Sequence, residues 1–424
     1  MQKFSQYKRI VHVMGFAIAF IVILCVLDYI TGKNVYNNRV WEKVQDPSTN
    51  IDILIMGNSH AYTSIDAKAL SACLDKEIDV LGSGAQNMEE AVAALQIVIA
   101  YEKPQVIMLD AYAACVDSKG DLQSEKKGLL YNNLDGVNNY ILKCRGVLET
   151  FKWNNFLDGT FQLFRPNYTW ERWEFAASRE RIDTHGYAGR NTYAMGSANI
   201  SDYVQATRQI YDKDESGNLT EYNIEKLHRF LDITEENGIS VILCSNPTCT
   251  PFISKDIKQA FSLASGYENV ICMEDMGLQM EDIGLEINDF YDDGHLNRRG
   301  AVKNTEYISD LLAEACGLKK DWDKVFSYKS EKCDDLGNGT YAYTMENFSP
   351  DCLYQFRLFV DGEIIERQDY SRNNTFVTNS NIAECGNNVD LLCYMIPMSE
   401  AELGDASTSR IGIKFMKPND CYIK

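Results

Sequence analysis

Histidine is scarce in this chain, with five residues in 424. Chemistry that needs an imidazole therefore has few places to sit. Basic residues are also in short supply, 41 Lys and Arg against 61 Asp and Glu, for a formal net charge of −20. No Lys/Arg cluster stands out, and a surface of this sign repels a phosphate backbone, so nucleic acid is not an expected partner. Net charge does not argue against an uncharged sugar or ester, because it bears on solubility and encounter rather than on chemistry. Thirteen cysteines contain no CxxC pair and no Cys/His group at zinc spacing, so neither a metal nor a cofactor is expected. Low-complexity segments and internal repeats are missing as well.

The cysteines are scattered. Cys244 and Cys249 flank an expected strand end, and Cys333, Cys352, Cys385, Cys393 and Cys421 gather towards the C-terminus, where an oxidising compartment would allow some to pair. The odd total leaves at least one thiol unpaired within a monomer. Buried free thiols are the expectation for most positions.

One long apolar run exists, IVHVMGFAIAFIVILCVLDYI from Ile10 to Ile30, interrupted only by His12, Asp28 and Tyr29. At ~1.5 Å per residue it covers a ~30 Å hydrocarbon core. The residues that follow Leu27 offer no small-x-small cleavage site, so a retained single-pass anchor is expected rather than a removed signal. Lys3, Lys8 and Arg9 before the run nearly balance Lys33, Arg39 and Lys43 after it. The short tail places the N-terminus inside and everything after Lys33 outside the cytoplasm. A buried core helix is the blander alternative.

Residues 1–33 are thus read as tail and anchor, and residues 34–50 as a polar linker. From there short apolar runs alternate with amphipathic stretches, the pattern of βαβ units and a parallel sheet covered on both faces. Strands are expected at Ile51 to Met56, Ile78 to Leu81, Val106 to Leu109, Val241 to Cys244 and Val270 to Met273. Helices are expected at Asp66 to Leu74, Glu89 to Tyr101, Tyr222 to Glu236, Lys255 to Ala264 and Arg298 to Ala315, the last stopped at Gly317. The fold class is α/β, a three-layer α/β/α flavodoxin-like sheet over residues 51–317. A segment from about 116 to 214, rich in Tyr, Trp, Asn and Arg, reads as an insertion. Packing of Trp153, Trp170 and Trp173 onto the sheet is favoured over sugar stacking, since Trp is highly buried on average. Residues 328–424 switch to period-two alternation, with a hairpin signal at YQFRLFV-DG-EII, and read as a small β-sandwich accessory domain.

The first strand runs into Gly57-Asn58-Ser59-His60. This places a serine on a sharp turn at the carboxyl end of a sheet strand, where open α/β sheets hold ligands. Glycine permits the turn, and the serine amide can face a developing oxyanion. Far downstream, FYDDGHLNRRG sets Asp292 three residues before His295 in a loop ahead of the last helix. That spacing lets a carboxylate take the imidazole Nδ1–H while Nε2 faces a serine. His185, His228 and His12 are weaker bases by position, and His60 is expected to point away from the turn.

GNSH after the first strand and DDGHLN before the last helix resemble the first and last sequence blocks of SGNH/GDSL hydrolases. The resemblance covers roughly residues 51 to 316 and implies Ser59 as nucleophile, His295 as base and Asp292 as its carboxylate, with Asp293 second to Asp292. The family's second block implies an oxyanion-hole amide at Gly84, in preference to Gly82, beside that of Ser59, with Asn87 as a further donor. Its third block, a Gly-x-Asn-Asp turn, has no match here, where Leu109-Asp110-Ala111-Tyr112 follows the third strand. Membrane-anchored relatives with such turns resemble proteins that move O-acetyl or D-alanyl groups on envelope polymers. The implied function is a serine esterase or acyltransferase, acting on an acylated carbohydrate or cell-envelope polymer outside the cytoplasm. A membrane-bound acyl donor protein is a possible partner. The alternative is an inactive glycan-binding or scaffold protein of an envelope polysaccharide complex.

Overall fold

The computed structural model describes residues 2–31, 38–101, 104–116, 131–150, 153–165, 185–189, 217–249, 254–273, 280, 283–379, 389–398 and 411–414, with a few single positions between 202 and 209. Trp170, Trp173, Cys385 and Cys421 lie outside them.

Helix α1 (Gln2–Thr31) opens the chain. Its stretch from Arg9 to Tyr29 has mean hydropathy 2.9 and is long and apolar enough to cross a membrane. Side chains from Ile10 to Ile23 are exposed rather than packed into a core, which sets aside the core-helix alternative. The segment read as a linker contains α2 (Asn38–Gln45). Val40, Trp41 and Val44 are buried on one side of it, and the Trp41 indole N–H donates to the Asn133 carbonyl at 2.8 Å.

Five parallel strands follow: β1 (Ile53–Gly57), β2 (Ile78–Gly82), β3 (Val106–Asp110), β4 (Ser240–Cys244) and β5 (Val270–Cys272). Their order is β2-β1-β3-β4-β5, with the reversal between β1 and β3 that opens a crevice at the carboxyl ends. Strand alternation divides the core. Leu54, Met56, Ile107 and Leu109 pack with α5 (Met88–Tyr101) and with Leu227 and Phe230 of α9 (Glu221–Glu236). Ile53, Ile55 and Met108 face the other way, onto Leu70 of α4 (Ala67–Leu74) and onto Ile308 and Leu312 of α11 (Arg298–Cys316). Because both faces are covered, β1, β3 and β4 read as near-continuous apolar runs, whereas β2 carries Asp79, buried and paired with Lys43. The chain is therefore a mixed α/β protein built on a three-layer parallel unit. α11 stops at Gly317, whose φ of 65° in the left-handed region suits glycine.

Two antiparallel sheets complete the chain. One holds β6 (Tyr328–Gly337), β7 (Thr340–Asn347) and β10 (Thr375–Val377), and the other β8 (Cys352–Val360), β9 (Glu363–Ser371), β11 (Val389–Pro397) and β12 (Ile411–Lys414). They share a core in which Phe356 and Phe376 stack with centroids 5.6 Å apart. Asp361 and Gly362, which link β8 to β9, have φ of 49° and 87°. Positive φ at both central residues is the hairpin-turn geometry that the Asp-Gly pair predicts. The β unit is seated on the α/β unit: Val302 of α11 belongs to its core, and the Ser327 hydroxyl donates to Asp66 at 2.9 Å. Cys333, Cys352 and Cys393 are free thiols, the last two buried, as expected of thiols used for packing.

Candidate active site

The chain leaves β1 at Gly57 and turns at once into α3 (Ser59–Ser64). A Cβ on Gly57 would lie 2.9 Å from the Asp110 Cβ and 3.1 Å from that of Ala61, so only glycine allows the strand and helix to meet so closely. Asn58 caps the helix, its side chain accepting from the His60 amide at 3.0 Å. Ser59 thus occupies the first helical position, at the carboxyl edge of the sheet.

From the other end of the chain, residues 290–296 form a small hairpin. Phe290 and Leu296 pair antiparallel, and the Tyr291 amide donates to the His295 carbonyl at 2.8 Å. Asn297 anchors the hairpin to α11. Its side-chain oxygen caps the Arg299 and Gly300 amides, and its NH2 donates to the Asn288 carbonyl at 2.6 Å. The Asp293 carbonyl accepts from the Cys249 amide and the Thr248 hydroxyl, which ties the hairpin to the loop after β4.

This scaffold brings together three residues that are far apart in sequence. His295 Nε2 lies 2.6 Å from the Ser59 Oγ, and His295 Nδ1 lies 2.7 Å from Asp292 Oδ1. Asp292, not Asp293, is the carboxylate on the ring. Its partial burial pushes the carboxyl pKa up, but the Gly294 amide and the His295 ring outweigh that and hold it below the usual range. The result is a hydroxyl, an imidazole and an anionic carboxylate in line, a chain able to draw a proton from the serine.

The turn after β2 abuts this corner. A Cβ on Gly82 would sit 2.6 Å from the Gly57 carbonyl oxygen and 3.5 Å from that of Asn58. Gly84 occupies the following turn, closed by the Gln86 amide donating to the Ser83 carbonyl, in which Ala85 has a φ of 55°. A non-glycine residue in that region is strained, and such strain gathers at functional sites. The Asn87 side-chain oxygen accepts from the Glu90 amide at 3.0 Å as an N-cap of α5, leaving only its NH2 to reach an oxyanion.

Several site residues were not foreseen. His60 does not point away: its ring stacks on Tyr112 and lies 5.1 Å from that of His295, centroid to centroid. Burial, reinforced by His295, lowers its pKa to about 3, so it is a neutral ring in the wall of the site. Asp110, at the end of β3, accepts from the Asn246 NH2 at 2.8 Å and from the Tyr112 amide at 3.0 Å. Asn246 in turn accepts from Asn304 of α11 at 3.0 Å. This buried polar bridge joins the ends of β3 and β4 to the helix that carries the histidine hairpin. The available signal was the position of Asp110 and Asn246 at the carboxyl ends of two apolar strands.

The remaining histidines sit elsewhere. His185 Nδ1 donates to the Ile78 carbonyl at 2.8 Å, and His228 lies against the Tyr267 hydroxyl. Glu77, Asp79 and His185 come close enough to suggest a cation site. The Lys43 ammonium already lies 2.6 Å from Glu77 and 2.8 Å from Asp79, so the group is an ion-pair network. Trp153, expected to pack on the sheet, is instead exposed and stacked on Phe156.

No family model matches the chain, and no curated protein matches it. A crystal structure of an engineered protein aligns over 91% of this chain and 97% of its own at 7% identity, with a TM-score of 0.15, a likeness too slight to bear on fold or function.

Proposed function

We propose that this protein is a serine-dependent carbohydrate O-acyl esterase or acyltransferase, with acetyl the expected acyl group, anchored by α1 and acting on a glycan or envelope polymer outside the cytoplasm. The observation that carries the reading is the hydrogen-bonded line Ser59–His295–Asp292 at the carboxyl edge of a parallel sheet. The resemblance of GNSH and DDGHLN to the SGNH/GDSL blocks supports it independently. In the proposed reaction the Ser59 Oγ adds to the ester carbonyl while His295 Nε2 takes its proton. The tetrahedral oxyanion is held by the amides of Ser59 and Gly84, with the Asn87 NH2 beside them. The C–O bond to the leaving alcohol breaks as the imidazolium returns the proton to it. Water, or a sugar hydroxyl in transfer, then gives up its proton to His295 and attacks the acyl-serine, and the bond from Ser59 Oγ to the acyl carbon breaks as the imidazolium returns that proton to Oγ.

Asp110 gives the competing reading its footing. A carboxylate stands where the family pattern has a turn that donates to the oxyanion, which fits an inactive glycan-binding or scaffold protein. Labelling of the full-length chain with a fluorophosphonate separates the two. Labelling lost in both Ser59→Ala and His295→Ala establishes an activated serine, whereas a folded wild-type chain that resists the probe sinks the enzymatic reading.

A further inference from the structure

The C-terminal end of α1 does not leave the protein freely. Asp28, at the far end of the apolar run, is buried, with its carboxylate 2.9 Å from the Tyr140 hydroxyl and 3.7 Å from the buried Lys143 ammonium. The Gln162 amide donates to its other oxygen at 2.6 Å, and the Tyr140 hydroxyl also lies 3.1 Å from the Cys25 carbonyl. Two ends of one segment, residues 140 and 162, are thereby pinned to the last turn and a half of the apolar stretch. Cys25 precedes Tyr29, where that stretch ends, by four residues, or ~6 Å of helix. The headgroup layer on each side of a bilayer is ~5–7 Å thick. A helix that spans therefore holds this segment at headgroup depth.

The segment is apolar where it meets solvent. Ile141 and Trp153 are 82% and 76% exposed, and Leu148, Leu157 and Phe164 are exposed with them. Ile141 and Leu148, seven residues apart, share one side of α7 (Tyr140–Thr150), with the exposed Arg145 between them. Trp153 stacks on Phe156 at 5.2 Å, and Phe164 packs edge-on against Phe161, which stacks on Tyr140. Beneath, Arg165 is ion-paired with Asp135 and lies over the Tyr131 ring, so the surface is fixed to the α/β unit. Tryptophan beside aliphatic side chains with an interspersed arginine is the composition of a membrane–water interface.

We infer that residues 140–150 and 153–164 form a second membrane contact, a platform seated in the headgroup layer beside α1 that fixes the attitude of the α/β unit on the bilayer. The occupant is lipid. Its continuity with the buried end of the spanning helix is the argument, and the inference rests on the reading of α1 as a membrane span.

The full-length chain reconstituted in phosphatidylcholine vesicles tests both. Flotation with the vesicles after an alkaline carbonate wash reports the span, and failure to float overturns span and platform together. In floated protein, Trp153 emission is isolated as the difference between wild type and Trp153→Phe. The platform requires that this component be lost on replacing the lipid with one brominated near the top of its chains, and that it resist aqueous iodide. A Trp153 component that iodide quenches and bromolipid does not overturns the platform while leaving the span intact. Shielding from both quenchers means that protein covers the patch, and overturns lipid as the occupant.

Discussion

His60 stacks on Tyr112 with ring centroids 3.8 Å apart and an interplanar angle of 17°. Its depressed pKa, about 3 against an ordinary 6.5, is a statement about stability. The folded chain keeps the ring neutral and the unfolded chain protonates it below 6.5, so its contribution is present above 6.5 and is lost as pH falls towards 3. His295 disfavours the charge and Asp292 favours it. His60→Phe keeps an aromatic ring on Tyr112 and removes the titration. The variant is expected to take up one proton fewer on unfolding, which flattens the acid limb of stability by ~1.4 kcal/mol per pH unit in that window. Denaturant titrations at pH 7, 5 and 4 check it, and parallel curves for the two proteins would refute it.

Asp292→Asn leaves the shape of the hairpin but removes the anion from His295. Turnover of an acylated glycan, or the rate of fluorophosphonate labelling, is expected to fall by ~10³–10⁴-fold, the scale of such a change in serine hydrolases. Asp293→Asn is expected to change either rate by less than about threefold, because Asp293 holds its loop through its backbone carbonyl. A larger loss in Asp293→Asn than in Asp292→Asn would mean that the ring uses the other carboxylate.

Glu90 offers the opposite pH dependence. Its carboxyl is buried in the first turn of α5 with both oxygens lacking a side-chain partner, and burial raises its pKa well above the usual range. A carboxyl protonated in the folded chain and ionised in the unfolded one contributes stability below the ordinary glutamate pKa of ~4.3 and loses it as pH rises through the folded value. Glu90→Gln should match wild type near pH 4 and exceed it at pH 8 by a few degrees in Tm, since ~1 kcal/mol moves a domain of this size by ~2–4 °C. Scanning calorimetry at the two pH values decides it, and equal Tm values at pH 8 would count against a buried neutral carboxyl.

Asn297 joins helix capping to the placement of His295. Asn297→Ala is expected to cost ~1–2 kcal/mol from the lost cap, and to lower kcat more than it raises KM because the hairpin loosens. Asn297→Asp restores a capping oxygen but not the NH2 that holds the Asn288 carbonyl. It should recover much of the stability and little of the rate. Recovery of both would show that the cap alone matters.

The elements that could be read in advance are those whose cause is local. Strands β1, β3 and β4 are near-continuous apolar runs bounded by turn residues, and Asp361-Gly362 carries its own turn chemistry. Ser59, Asp292 and His295 were readable because each lies beside a strand or helix boundary in a short polar motif. The 34–50 segment concealed α2 because only three buried residues, Val40, Trp41 and Val44, mark it, and eight helical residues are too few to signal strongly. His60 and the Asp110–Asn246–Asn304 bridge were hidden for a different reason. Their partners come from several separate elements, and which side chains meet at a sheet edge follows from strand order, which local periodicity does not carry. The average burial of tryptophan does not predict Trp153, which is exposed beside Phe156 rather than packed on the sheet.

The hydrogen bond between Ser59 and His295 spans 236 residues. A ribosome delivers the serine that many additions before its base. The helix behind the base still lacks part of its packing at that point, since Val302 of α11 is buried in a core supplied by β8 and β11, which are made later. The two atoms therefore meet only after His295 has been made, and the helix behind it completes its packing later still. A nascent or truncated product that ends before His295 thus holds Ser59 without the imidazole that faces it in the complete fold.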